Sequence, residues 1–156
     1  DASGEQLGGI YICPNCQGPT FFTPPAFNAQ FPGETFGNIV KNVPANLNAL
    51  YEESRNCYSK NAFTAVVLLC RKMLMNISVE QGAKEGLKFI QYVEYLADNN
   101  YIPQNAKAWV DHIRTKGNEA THEIKLMDKS EATELLIFIE MLLKFIYEFP
   151  KMILKI

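Results

Sequence analysis

Proline placement constrains this chain more than any other feature. Five of the eight prolines (Pro14, Pro19, Pro24, Pro25 and Pro32) precede residue 40, as do six of the nine glycines. From Ala45 to Phe149 the one proline is Pro103. Proline lacks a backbone N–H and its ring collides with the preceding helical turn. The first stretch therefore cannot be helical, whereas the second can be helical almost throughout. The expected organisation is an extended arm over residues 1–42 and a helical bundle over residues 43–156, an all-α fold in class. Tyr11, Phe21, Phe22, Phe27, Phe31 and Phe36 interleave with the arm's prolines. Disordered segments are poor in such rings, so the arm is expected to pin them on the helical body, with a short hairpin through Tyr11-Ile12 and Thr20-Phe22.

About five helices follow from periodicity and punctuation. The first begins near Pro44, buries Leu47, Leu50 and Tyr51, and fades at Ser59-Lys60. The second starts after Asn61 and stops at Gly82, with Ala62, Ala65, Val66, Leu69, Met73 and Ile77 as its core stripe. Leu87 to Asp98 forms a third, turning Leu87, Ile90, Val93 and Leu96 inward and closing at Asn99-Asn100. A fourth follows Pro103 and carries Trp109 and Ile113. The fifth opens on Asp128-x-x-Glu131, a capping box that satisfies free amides, and runs to Pro150. Its core face is Ala132, Leu135, Leu136, Ile139, Leu142, Leu143 and Ile146. Phe138, Met141 and Phe145 form a second apolar patch, so this helix is expected to be buried on two sides. Either the arm or a second copy covers that patch, and a two-fold homodimer is the reading adopted.

Composition narrows the function classes. A net charge of −2 gives no global basic field to attract nucleic acid. Glu140 and Lys144 interrupt the greasiest run, Leu135 to Tyr147, so no span is long enough for a bilayer and no membrane partner is expected. Four cysteines without a disulfide framework, and no signal peptide, point to a cytoplasmic setting.

Two clusters carry chemistry. In Ile113 to Glu123, Arg114, Asn118 and His122 recur every fourth residue and share one helical face. Phosphate chemistry uses such a set: a cation to hold the anion, an amide to orient it, and an imidazole to move a proton. Arg114 and His122 lie about 12 Å apart along an ideal helix, so they meet only if the arginine reaches back or the helix breaks at Gly117. A helix-end hydrogen-bond network is the structural alternative. Glu119 reads as an ion-pair partner for Lys116 or His122, His112 as a surface residue, and Trp109 as a core anchor.

The second cluster is Cys13-Pro14-Asn15-Cys16-Gln17-Gly18, which has the form of a zinc knuckle. Redox pairs sit at a helix N-terminus, and Gly18-Pro19 forbids a helix here. A structural zinc would take Cys13 and Cys16 as two of four ligands, completed by upstream sequence, by a partner subunit, or not at all. Cys57 and Cys70 fall in helical stripes as small core residues.

Several segments together resemble a bacterial domain family of unknown function: Tyr11-Ile12-Cys13-Pro14-Asn15-Cys16, Tyr51-Glu52-Glu53-Ser54-Arg55-Asn56-Cys57-Tyr58, Ala62-Phe63-Thr64-Ala65, Arg71-Lys72-Met73-Leu74, Trp109-x-x-x-Ile113-Arg114 and Gly117-Asn118-Glu119-Ala120-x-His122. The match continues through Glu131-Ala132 and Tyr147-Glu148-x-Pro150. That family occurs alone and on the large subunits of type I restriction–modification enzymes, and is grouped with the HEPN superfamily. The resemblance implies a dimeric HEPN-like bundle and, in active members, metal-independent RNA cleavage by an Arg-x(4–6)-His motif. Carried over, His122 handles the proton, Arg114 offsets phosphorane charge and Asn118 orients. It also makes Arg71 a candidate for a structural ion pair. Seven residues separate Arg114 and His122 here, beyond that window. The expectation is therefore a non-catalytic module, with no required cofactor, that binds RNA, nucleotide or a protein partner in restriction or defence systems. An endoribonuclease using Arg114 and His122, and a structural module of a larger enzyme, are the alternatives.

Overall fold

The computed structural model describes residues 8–14, 16–24, 29–103 and 126–153. The helices among these are α1 (Ala45–Ser59), α2 (Phe63–Glu80), α3 (Phe89–Asp98), α4 (Lys129–Leu143) and a short α5 (Phe149–Ile153). A π-helical segment, Lys144–Glu148, joins α4 to α5. The helix expected after Pro103 lies outside the described residues.

Chain chemistry ends the first three helices in one way. Asn61, Gly82 and Asn100 each adopt positive φ just past a helix end. Two reversed bonds close each end: Asn61 N to Tyr58 O and Ala62 N to Cys57 O, both 2.9 Å, with the same pattern at Gly82-Ala83 and Asn100-Tyr101. This arrangement satisfies carbonyls that have no intrahelical partner, and it requires a residue that tolerates left-handed backbone. The expected capping box on α4 is present: Asp128 Oδ1 accepts from Glu131 N at 2.8 Å, and Glu131 Oε2 accepts from Asp128 N at 3.1 Å.

The helix expected to stop at Pro150 does not stop there. Phe149 N donates to Lys144 O, five residues back. Pro150 follows directly, where the ladder has already shifted from the i−4 to the i−5 carbonyl, so the helix passes through it to Ile153.

Helix α2 is the centre of the bundle, touching α1, α3 and α4. Val66, Cys70, Met73, Leu74 and Ile77 from α2, Val93 and Leu96 from α3, and Leu136, Ile139 and Leu142 from α4 are buried together with Tyr51. On α3 the inward stripe is Phe89, Tyr92, Val93 and Leu96, with Leu87 and Ile90 half-buried. On α2, Ala62 is exposed and Val67 and Leu74 are buried instead.

The arm is more ordered, and less firmly attached, than a string of pinned rings. It folds into a three-stranded antiparallel sheet, β1 (Gly9–Ile12), β2 (Pro19–Phe22) and β3 (Gln30–Phe31), in the order β1-β2-β3. Tyr11 pairs with Thr20, and Phe21 with both Ile10 and Phe31, so the class is helical with a small sheet rather than purely all-α. Tyr11, Phe21, Phe22 and Phe31 stay exposed. Phe27 lies outside the described residues; among the described rings of the arm only Phe36 reaches the body, its ring 5.0 Å from that of Tyr58. The physical reason is pairing: strand formation commits the rings to cross-strand contacts, such as Tyr11 edge-on to Phe22 at 5.6 Å. Just before Phe36, Gly33 N donates to Ser59 O at 2.7 Å. A Cβ at Gly33 would lie 2.9 Å from that oxygen, so glycine permits this approach.

Candidate functional site

The best-built polar cluster joins the segment after the sheet to α1 and α4. Tyr51 and Arg55 are one helical turn apart on α1 and point the same way. Arg55 lies almost wholly buried and uses its whole guanidinium. Nε donates to Phe36 O at 3.0 Å, Nη2 to Gly37 O at 2.8 Å, and Nη1 to both carboxylate oxygens of Glu52 at 2.9 and 2.8 Å. From α4, Glu140 accepts from Asn38 N and Asn38 Nδ2, both at 2.9 Å, and from Tyr51 Oη at 3.3 Å. Lys144, one turn further on, is bonded to Glu140 Oε1.

These contacts set the protonation states. Burial works to raise the Glu140 pKa, but the hydrogen bonds from Lys144 and Asn38 overcome it and hold the carboxyl below its ordinary range. Burial, reinforced by the Glu140 charge, pushes the Tyr51 phenol well above its usual value despite Arg55 nearby. At neutral pH the cluster is a neutral phenol beside a carboxylate closed by a lysine. With every group engaged, it is built to hold a segment in place rather than to move protons.

Beside the cluster runs a groove of about 590 Å³, lined among others by Phe36, Asn38, Glu140, Met141, Phe145 and Phe149. Its walls are mainly apolar. Of the second apolar patch, Phe138 is fully buried within the single chain, while Met141 is half-buried and Phe145 exposed. Helix α4 packs on α2 and α1, while the Phe36–Asn38 segment crosses beside Glu140.

A family model described as Domain of unknown function (DUF4145) matches residues 52–155, more than half of the chain. The chain belongs to the DUF4145 family. No curated protein and no solved structure matches it. The DUF4145 span takes in Glu52, Arg55, Glu140 and Lys144, together with the Ile113–Glu123 block, and leaves out the sheet, Asn38 and Tyr51.

Within the DUF4145 span, Arg114, Asn118, Glu119 and His122 all lie outside the described residues, as do Trp109 and His112. Arg71 sits half-buried with its guanidinium 4.2 Å from the centre of the Phe89 ring, and burial lowers its pKa. Cys13 and Cys16, N-terminal to the DUF4145 match, share the β1–β2 turn without a disulfide. Among the described residues no group of three or more metal-ligating side chains forms around them. Cys70 is buried and Cys57 half-buried. No helix among the described residues is long and apolar enough to cross a membrane.

Sequence reasoning missed the Tyr51–Arg55–Glu140 cluster. Glu140 and Lys144 were legible only as breaks in an apolar run. The signal that could have found them was their spacing of four within the face that also carries Met141 and Phe145, which marks an ion pair held against apolar surroundings.

Proposed function

We propose that this DUF4145 chain is a non-catalytic, HEPN-like helical module that works by binding a protein or nucleic-acid partner, as a homodimer, in a restriction or defence system. The observation that supports binding is an apolar stripe left uncovered on one helix. Ile137, Phe145, Phe149, Met152 and Ile153 recur along α4, the π segment and α5, and all are exposed, Ile153 to 71%. Neither the π segment nor α5 buries any residue. An uncovered stripe at helical spacing suits a second helix, and two copies related by a two-fold axis would offer each other the same stripe. The net charge of −2 favours a protein surface over a nucleic acid as the main contact.

Light scattering on the purified chain tests this. A dimer that Phe145→Asp/Phe149→Asp converts to a folded monomer is expected, and a wild-type monomer throughout the micromolar range would overturn it.

A second reading, an endoribonuclease, rests on Arg114 and His122, which fall within the matched span. In that reading His122 takes the proton from an RNA 2′-hydroxyl and Arg114 steadies the phosphorane. RNA incubated with chelator should then be cut by the native chain and not by His122→Ala. Cleavage of that pattern would replace the binding module with an enzyme.

A further inference from the structure

The two edges of the three-stranded sheet differ in what their backbones offer. Cys13 N donates to Gly18 O at 2.9 Å, so the backbone of Cys13 turns toward β2. Hydrogen-bonded and non-bonded pairs alternate along an antiparallel ladder. In the observed register Tyr11–Thr20 and Gly9–Phe22 are therefore bonded pairs, whereas Ile12–Pro19 and Ile10–Phe21 are not. Pro19, which has no N–H, thus sits where none is needed. Across β2, Thr23 N donates to Ala29 O at 2.8 Å. That bond makes Phe21–Phe31 a bonded pair and turns Gln30 outward, two residues before Pro32. So short an edge, closed by a proline, is one of the ways in which natural sheets are blunted.

Strand β1 is the opposite case. The N–H and C=O groups of Ile10 and Ile12 turn away from β2, and among the described residues no strand pairs with that edge. Both side chains lie on the face that carries Phe21, and they are 73% and 65% exposed. Charges and prolines usually guard such an edge. Here β1 contains no proline, and no charged residue lies between Glu5 and Glu34.

Two copies of this edge are complementary. Turned antiparallel about a two-fold axis at Tyr11, Ile10 of each copy lies opposite Ile12 of the other. Both residues present outward groups, so each such pair can exchange backbone hydrogen bonds in both directions. The isoleucines meet side by side across the strands, and no like charges oppose one another.

We propose that β1 pairs with β1 of a second copy, joining the two three-stranded sheets into one. Because β3 is blunted, the joined sheet keeps no second open edge, and pairing stops at two copies instead of propagating into a fibre. This contact involves neither the α4–α5 stripe nor the family-matched span. It is short, so it forms above the micromolar range, or between copies that another contact already holds together.

Amide exchange followed by NMR from micromolar to millimolar chain tests this. Tyr11, whose N–H turns to β2, should be protected at every concentration. Ile10 and Ile12 should exchange freely when dilute and several-fold more slowly when concentrated. The Phe145→Asp/Phe149→Asp chain should show the same rise in protection, which separates this contact from the helical stripe. Ile10→Pro removes an outward N–H, a change that edge positions tolerate. It should abolish the rise at Ile12 and leave Tyr11 protected. Ile10→Lys, which keeps the N–H and adds an edge charge, should act in the same way. Free exchange of Ile10 and Ile12 at every concentration overturns the pairing, as does a rise that survives both Ile10 variants. Protection that is independent of concentration would place the partner within one copy and overturn it too. A rise lost in Phe145→Asp/Phe149→Asp would assign the association to the stripe instead.

Discussion

Asn38 grips Glu140 twice, through its backbone N–H and its side-chain amide, each at 2.9 Å, across 102 residues of sequence. The carboxylate is thereby shared between the segment after the sheet and the lysine one turn along its own helix. Tyr51 joins the same point from α1, donating to Asn38 O at 3.0 Å. One residue on α4 therefore fixes where the arm leaves the bundle.

Loss of Arg55 should be costly. Its guanidinium satisfies the carbonyls of Phe36 and Gly37, and Arg55→Ala leaves both without that donor. We predict a loss of about 2–3 kcal/mol, the range for hydrogen bonds to a charged group, read from urea unfolding. Arg55→Lys should recover less than half, because a point charge cannot serve three acceptors at fixed angles. A variant as stable as wild type would show that the clamp contributes nothing.

Acid should loosen the same junction. The Glu140 carboxyl is held below its ordinary value of 4.5 in the folded chain. A depressed folded pKa contributes stability fully above the unfolded value, and that contribution disappears as pH falls through the folded one. Stability should therefore decline below about pH 4.5 with a component that Glu140→Gln removes. Identical slopes for wild type and variant in melts carried from neutral pH into strong acid would count against this assignment.

Phe138 and Phe145 lie on the same helical path and should behave oppositely. Phe138→Ala empties a fully buried position and should cost about 3–5 kcal/mol. Phe145→Ala removes an exposed ring and should change monomer stability by no more than about 0.5 kcal/mol, while weakening self-association in sedimentation experiments. If Phe145→Ala destabilised the monomer as much as Phe138→Ala, the stripe would be core rather than interface.

The helix ends offer a finer test. Asn61 holds φ 59°, a conformation that costs other L-residues about 1–2 kcal/mol. Asn61→Ala should lower the melting temperature, and Asn61→Gly should not. Equal melting temperatures for the two variants would remove backbone strain as the reason for asparagine there.

Much of the helical body was legible because its punctuation is local. Gly82, Asn100 and the Asp128–Glu131 pair act on bonds within a few residues, so the sequence exposes them directly. The burial of Phe138 was legible from the second apolar patch, but a helical wheel does not say whether the same chain or a second copy wraps that face. The Asn38–Glu140 bonds were invisible for a related reason: nothing local to either residue announces a partner on the other side of the bundle. The arm's rings misled differently, since aromatic content signals order without saying whether strands or the helical body will claim it.

The π segment between α4 and α5 has a consequence for the stripe. A π turn accommodates one residue more than the α-helical path. Deleting a single residue from Lys144–Glu148 would restore the α path and rotate the remaining turns by about 100°. Phe149 and Met152 would then swing away from Phe145, and Pro150 would fall inside a continuous helix. Chain length at this one point therefore acts as a dial, choosing which residues of the final turns face outward without altering any side chain upstream.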